Sequence, residues 1–332
     1  MTQNPPSSPD LPCKLRFYLF ILSFVLHTAR RSNGTVNRRF MKLLDSEASP
    51  SNKPNNRVKT TDIMVDPSRN LWFRLYVPTT TQATKLPVIL YFHGGGFVFF
   101  SANSSLFEDI CKRLALKLPA VVISVNYRLA PEHRYPSPFE DGFDVLKFLD
   151  TTNFEGLPSN IDVGRCFLAG DSAGGNIAHN VAIMAGVHEF SKMKLIGVIG
   201  IQPFFGGEER TESETRLKKA LILSSEISDW YWKAFLPAGS DRDHPVVNVF
   251  GPRWNGILGV NFPASIVFTG GFDPLQDWQK RYCDGLKKAG KQVYLVEYPN
   301  SFHGFYCFPQ LKESSLLIEE VKDFIEKQSA AQ

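Results

Sequence analysis

The chain reads as an α/β fold with a mostly parallel central sheet flanked by helices. Two observations carry that expectation. Short, continuous apolar runs alternate with stretches of helical periodicity, and two of those runs end in glycine-rich turns. Strands that are apolar on both faces belong where helices cover both sides of a parallel sheet.

The elements follow in order. Residues 1–14 are rich in Pro, Ser and Asn and read as a loose terminus, and residues 46–56 read as a linker. Between them Phe17 to Leu26 form a ten-residue apolar run after Lys14 and Arg16. It is too short to span a bilayer, which takes roughly 20 apolar residues. No small-x-small cleavage site comes after it, so it reads as a helix packed on the body rather than a secretion signal. Asn33-Gly34 marks a turn, and Thr35 to Leu44 reads as a short hairpin continuing from it. Asn103-Ser104-Ser105, like Asn33-Gly34-Thr35, matches a glycosylation sequon; it reads as a helix start.

Residues 59–65 and 71–77 form an antiparallel pair around Asp66-Pro67-Ser68-Arg69-Asn70. Buried strands are expected at 87–92, 120–125, 166–169, 195–201, 265–269 and 293–298. Leu106, Ile110 and Leu114 set a helical stripe, and further stripes run over 139–149, 173–184, 278–289 and 317–325. Gly290 after Lys287-Lys288-Ala289 is a helix stop. Residues 206–251 break the alternation, polar first and then aromatic (Trp230, Tyr231, Trp232, Phe235), and read as an inserted helical cap. The expected organisation is an N-terminal cap or lid segment over 1–56 and a catalytic domain over 57–330.

Composition narrows the function. With 43% hydrophobic and 21% charged residues the chain is globular, and its formal charge of +4 is scattered rather than gathered in a stripe. Nucleic acid is therefore not an expected partner. The five cysteines are odd in number and form no CxxC, against both a disulfide framework and a zinc site. Cys111 and Cys166 read as small core residues, in keeping with a reducing compartment.

The chemistry sits at the strand ends. Gly170-Asp171-Ser172-Ala173-Gly174 comes after one apolar run and opens a helix, the strand–turn–helix setting of a nucleophile elbow. Ser172 must take a strained backbone conformation there, and side chains at 170 or 174 would collide with the adjoining strand or helix. His93-Gly94-Gly95-Gly96-Phe97 ends another run. Its backbone N–H groups, with that of Ala173, form the expected oxyanion hole: Gly94, Gly95, Gly96 and Ala173, with Gly95 and Gly96 the principal donors. A serine nucleophile needs a base and an orienting acid. His303 comes after the last apolar strand, and Asp273 after the strand before it. Asp277 falls a turn into the next helix as a dipole-stabilising carboxylate. His244 lies in the cap, His179 on the helix after the elbow, and His133 before the elbow.

On these residues the chain resembles the plant carboxylesterases of the hormone-sensitive-lipase-like α/β-hydrolase family. His93 to Phe97, Asn126-Tyr127-Arg128-Leu129-Ala130-Pro131-Glu132-His133, Gly170 to Asn176 and the late Asp and His carry the likeness, which runs from about Asn33 to Phe324. The resemblance implies an eight-stranded, mostly parallel sheet, a cap built partly from the N-terminal segment, and a triad of Ser172, Asp273 and His303. The chain is also similar to the gibberellin receptors, catalytically silent relatives, at Arg210 to Glu214, at Trp230-Tyr231-Trp232 and at Gly285 to Gly290. Those receptors keep the serine and have lost the histidine; here His303 is present and the loop reads HGGGF. The expectation is a carboxylesterase for small to medium apolar esters. It needs no cofactor or metal, has no implied protein partner or membrane insertion, and works in the cytoplasm, with the nucleus as a second compartment.

Overall fold

The computed structural model describes residues 8–51, 53–54, 57–79, 85–151, 157–220, 222–254 and 256–331. Of the expected loose terminus, residues 1–7 lie outside the described residues; of the linker, 52, 55 and 56 do.

Eight strands form one sheet in the order β1-β2-β4-β3-β5-β6-β7-β8. β1 (Val58–Asp66) and β2 (Leu71–Pro78) pair antiparallel, and β2 runs antiparallel to β4 (Val121–Asn126). From β4 onward every pairing is parallel: β3 (Leu86–Phe92), β5 (Ile161–Asp171), β6 (Leu195–Ile201), β7 (Ser265–Phe272) and β8 (Val293–Phe302). Consecutive residues of β5 show why these segments read as uninterrupted apolar runs. Cys166 and Leu168 enter one core layer and Phe167 and Ala169 the other.

One layer packs under α4 (Ser137–Thr151), α5 (Ala173–Gly186) and α8 (Gln276–Lys288). The other packs under α3 (Ser105–Lys117) and α9 (Lys312–Ala330). The apolar run near the N-terminus lies within α1 (Cys13–Ala29), which contributes Leu15 and Leu19 to one layer and Leu26 and Ala29 to the other. Among the described residues no helix is long and apolar enough to cross a membrane.

The hairpin expected over Thr35 to Leu44 is instead a turn leading into a helix. Gly34 takes φ +82° and Arg31 N–H reaches Thr35 O at 3.0 Å, so the Asn-Gly turn forms. Asn37 then accepts a hydrogen bond from Phe40 N–H at 3.2 Å, and that cap starts α2 (Arg38–Leu44) in place of a second strand. The linker is pinned: Ala48 N–H bonds Asn103 O, and the buried Arg74 donates to Ala48 O at 2.7 Å. Residues 206–251 hold α6 (Glu212–Arg216) and α7 (Ser225–Phe235) between β6 and β7. Trp230 at the centre of α7 donates from Nε1 to Arg31 O at 3.0 Å, tying this segment to the chain after α1.

Candidate active site

The C-terminal ends of β3, β5, β7 and β8 lie along one edge of the sheet, where open parallel sheets present their loops to ligands. The turn from β5 to α5 is sharp enough to hold Ser172 at φ 52°, ψ −117°, a conformation an L-residue adopts only under constraint. The constraint is close packing. A Cβ at Gly174 would stand 1.9 Å from the Phe92 carbonyl oxygen of β3, and one at Gly170 would stand 2.2 Å from the Gly174 carbonyl oxygen. The Ser172 peptide is fixed too, its N–H on Ile201 O at 2.9 Å and its carbonyl under Phe204 N–H at 2.8 Å.

The structure brings Ser172, His303 and Asp273 together, though 131 and 30 positions separate them along the chain. His303 Nε2 lies 3.0 Å from Ser172 Oγ, and Nδ1 lies 2.9 Å from Asp273 Oδ2. A carboxylate only accepts, so Nδ1 carries the hydrogen and Nε2 is left to accept from the serine hydroxyl. Asp273 is fully buried, and two further donors reach it: Leu275 N–H on Oδ1 at 2.9 Å and Gln279 Nε2 on Oδ2 at 2.9 Å. Asp277 sits in the first turn of α8 and accepts from Ser213 N–H at 2.8 Å.

The other histidines stand apart from this cluster. His179 is buried beside Tyr282 OH at 2.9 Å, and burial pushes it down to about 3, so it is neutral. His244 stacks edge-on against Tyr135, and His133 is exposed. His93 stacks on Tyr127, bonds Gly94 O through Nδ1 at 2.8 Å and is kept neutral by burial, at about 4.

One of the four expected oxyanion donors is engaged elsewhere. Gly94 N–H donates to Asp171 Oδ1 at 2.9 Å, which removes it from the donor set. The N–H groups of Gly95, Gly96 and Ala173 make no hydrogen bond among the described residues. Gly95 and Gly96 take φ +112° and +63°, and a Cβ at Gly96 would meet the Tyr231 ring of α7 at 2.4 Å.

Sequence reasoning gives Asp171 no role beyond its place in the motif. Its buried carboxylate also accepts from Tyr91 OH at 2.6 Å and from Tyr306 OH at 2.7 Å, joining the glycine loop, the elbow and the loop after His303. Gln202 is a second unforeseen brace: it donates to Phe302 O at 3.2 Å and accepts from Gly304 N–H at 2.8 Å, on either side of His303.

Burial pushes the Asp171 carboxyl up to about 6, against the downward pull of its three hydrogen bonds and of nearby His303. A raised folded-state value means that protonation favours the native state. That stabilisation is complete below about pH 4 and is lost as pH rises through 6. Asp171→Asn cannot titrate. The stability of the native chain relative to this variant should therefore fall by about 3 kcal/mol from pH 4 to above pH 6 and then level off. Urea denaturation of both proteins across that range checks this, and a difference that rises with pH contradicts it.

A cavity of about 80 Å³ lies against Ser172 and His303. Leu19, Leu22 and Leu26 of α1 wall it on one side, and Leu223 and Tyr231 on another. Among the described residues no group of three or more His, Cys, Asp or Glu side chains could hold a metal ion.

The topology and the elbow define a class of α/β proteins that present a serine at the turn between a central parallel strand and the helix after it. Residues 89–307 match the model of the alpha/beta hydrolase fold, and the chain belongs to that family. It is 41% identical to the gibberellin receptor GID1C of Arabidopsis thaliana, over 94% of each chain. It is 34% identical to carboxylesterase 20 of the same plant, over 90% of this chain and 95% of the other. Among solved structures, a hyperthermophilic esterase from the archaeon Pyrobaculum calidifontis superposes with a TM-score of 0.76 at 28% identity, covering 96% of this chain and 99% of its own.

Proposed function

We propose that the protein is a carboxylic ester hydrolase that cleaves small to medium apolar esters by acyl transfer through Ser172. The observation that carries this reading is the 3.0 Å and 2.9 Å relay from Ser172 through His303 to Asp273. Ser172 Oγ attacks the ester carbonyl while His303 Nε2 takes its proton. Asp273 holds the ring in the required tautomer and stabilises the imidazolium. The N–H groups of Gly95, Gly96 and Ala173 bind the oxyanion at the N-terminus of α5, where the helix dipole also favours negative charge. His303 returns the proton to the leaving alcohol, and water then releases the acyl group by the same steps in reverse. The apolar wall from α1 and α7 acts as a cap and limits the size of the acyl group.

A second reading is favoured by one observation, the 41% identity to a gibberellin receptor. On that reading the pocket binds a small molecule without turning it over, and α1 closes on it. A relay built for proton transfer supports the hydrolase instead. Hydrolysis of p-nitrophenyl esters from acetyl to palmitoyl separates the two. The hydrolase reading expects the highest kcat/KM at short to medium chains and a steep fall for palmitoyl, which the small cavity cannot admit. No serine-dependent turnover of any ester in the series would favour the receptor.

A further inference from the structure

We infer that the alcohol portion of the natural ester carries an anionic group, received by Arg16, Lys218 and Lys219; this rests on the hydrolase reading above. A second cleft, of about 510 Å³, adjoins the small cavity and shares Leu19, Ile222, Leu223 and His303 with it. It touches His303 but none of Ser172, Gly95 and Gly96. The imidazole hands its proton to the leaving oxygen, so the alcohol departs on the imidazole side. The small apolar cavity therefore takes the acyl group and the larger cleft takes the alcohol.

The wall of that cleft is charged with one sign. Arg16 comes from α1, Arg216 ends α6, and Lys218 and Lys219 come just after it; the described lining contains no carboxylate. Asp10 and Glu313 line a neighbouring cleft instead. Arg216 is committed, to Glu212 at 3.3 Å and to Gly271 O at 3.2 Å. Arg16, Lys218 and Lys219 form no ion pair among the described residues. Three unpaired cations over apolar walls formed by Leu11, Leu19, Phe272 and Phe302 focus a positive field at the mouth of the site. An apolar alcohol bearing a carboxylate or another acidic group fits both features.

The test compares 3-carboxyphenyl butyrate with its neutral methyl ester, 3-(methoxycarbonyl)phenyl butyrate, which leaves with similar intrinsic ease. The native protein is expected to prefer the anion about 10-fold in kcat/KM, mainly through KM, with the preference shrinking from 0.05 to 0.5 M NaCl. The variant Arg16→Gln/Lys218→Gln/Lys219→Gln should lose the preference and keep its rate on the neutral ester. Equal rates on both esters, or a preference that survives the triple substitution, overturn the inference and leave the hydrolase reading standing. Binding of both esters to Ser172→Ala is measured alongside by calorimetry. Charge-dependent binding with no hydrolysis by the native protein overturns the hydrolase reading and keeps the cleft's anion preference; neither hydrolysis nor charge-dependent binding overturns both.

Discussion

Ser172→Ala is expected to lower kcat for p-nitrophenyl butyrate by about 10⁶-fold, with His303→Ala close behind. The reason is geometric. With the hydroxyl gone no covalent acyl intermediate forms; with the ring gone, the hydroxyl at 3.0 Å from Nε2 keeps its proton and is a poor nucleophile. Groups that act as one unit lose their effect together, so the double variant should be no slower than either single one. Asp273→Asn should cost about 10⁴-fold, because an amide in place of Oδ2 can donate to Nδ1 and turn the ring to the wrong tautomer. KM should move little in all three, since none of them shapes the apolar wall. Additive losses in the double variant would mean that serine and histidine work separately, and the relay would have to be abandoned.

Gly174→Ala is expected to destabilise the fold by about 4 kcal/mol and to lower Tm by about 6 °C. The added Cβ would stand 1.9 Å from Phe92 O, 2.5 Å from Phe92 C and 2.9 Å from His93 O. All three are backbone atoms of the strand and loop on which the site is built, so no side chain can rotate away. Relief requires α5 to lift from β3, and that movement displaces Ser172 from His303. Gly290→Ala is the comparison: Gly290 has φ +72° but nothing within 4 Å of an added Cβ. It forfeits only the left-handed preference of glycine, about 1 kcal/mol. Calorimetric unfolding of the two variants decides the point, and equal losses would show that the elbow is not tightly packed.

The strands are legible in the sequence because their double-sided burial leaves unbroken apolar runs, and the elbow because steric crowding leaves only glycine at 170 and 174. Asp273 and His303 are legible because each comes directly after such a strand. Other parts depend on which groups converge in space, and sequence spacing holds no trace of that. Asp171 lies beside the nucleophile in sequence, yet its partners Tyr91, Gly94 and Tyr306 come from three distant segments. The same convergence takes Gly94 N–H out of the expected oxyanion donors. Gln279 reads in sequence only as one residue of a helical stripe, although it reaches back to the Asp273 carboxylate from the second turn of α8. α2 departs from the expected hairpin because an Asn-Gly turn dictates how the chain reverses and not which element comes next; the Asn37 cap decides that locally.

The most direct measurement of the central claim is labelling with an organophosphate such as diisopropyl fluorophosphate, with subsequent mass mapping of the peptides. The relay beside three free backbone donors predicts one phosphoryl group per chain, on Ser172, with loss of esterase activity in step with labelling and no label in His303→Ala on the same timescale. A stoichiometric label on any other residue, or a native protein that stays unlabelled, would contradict it.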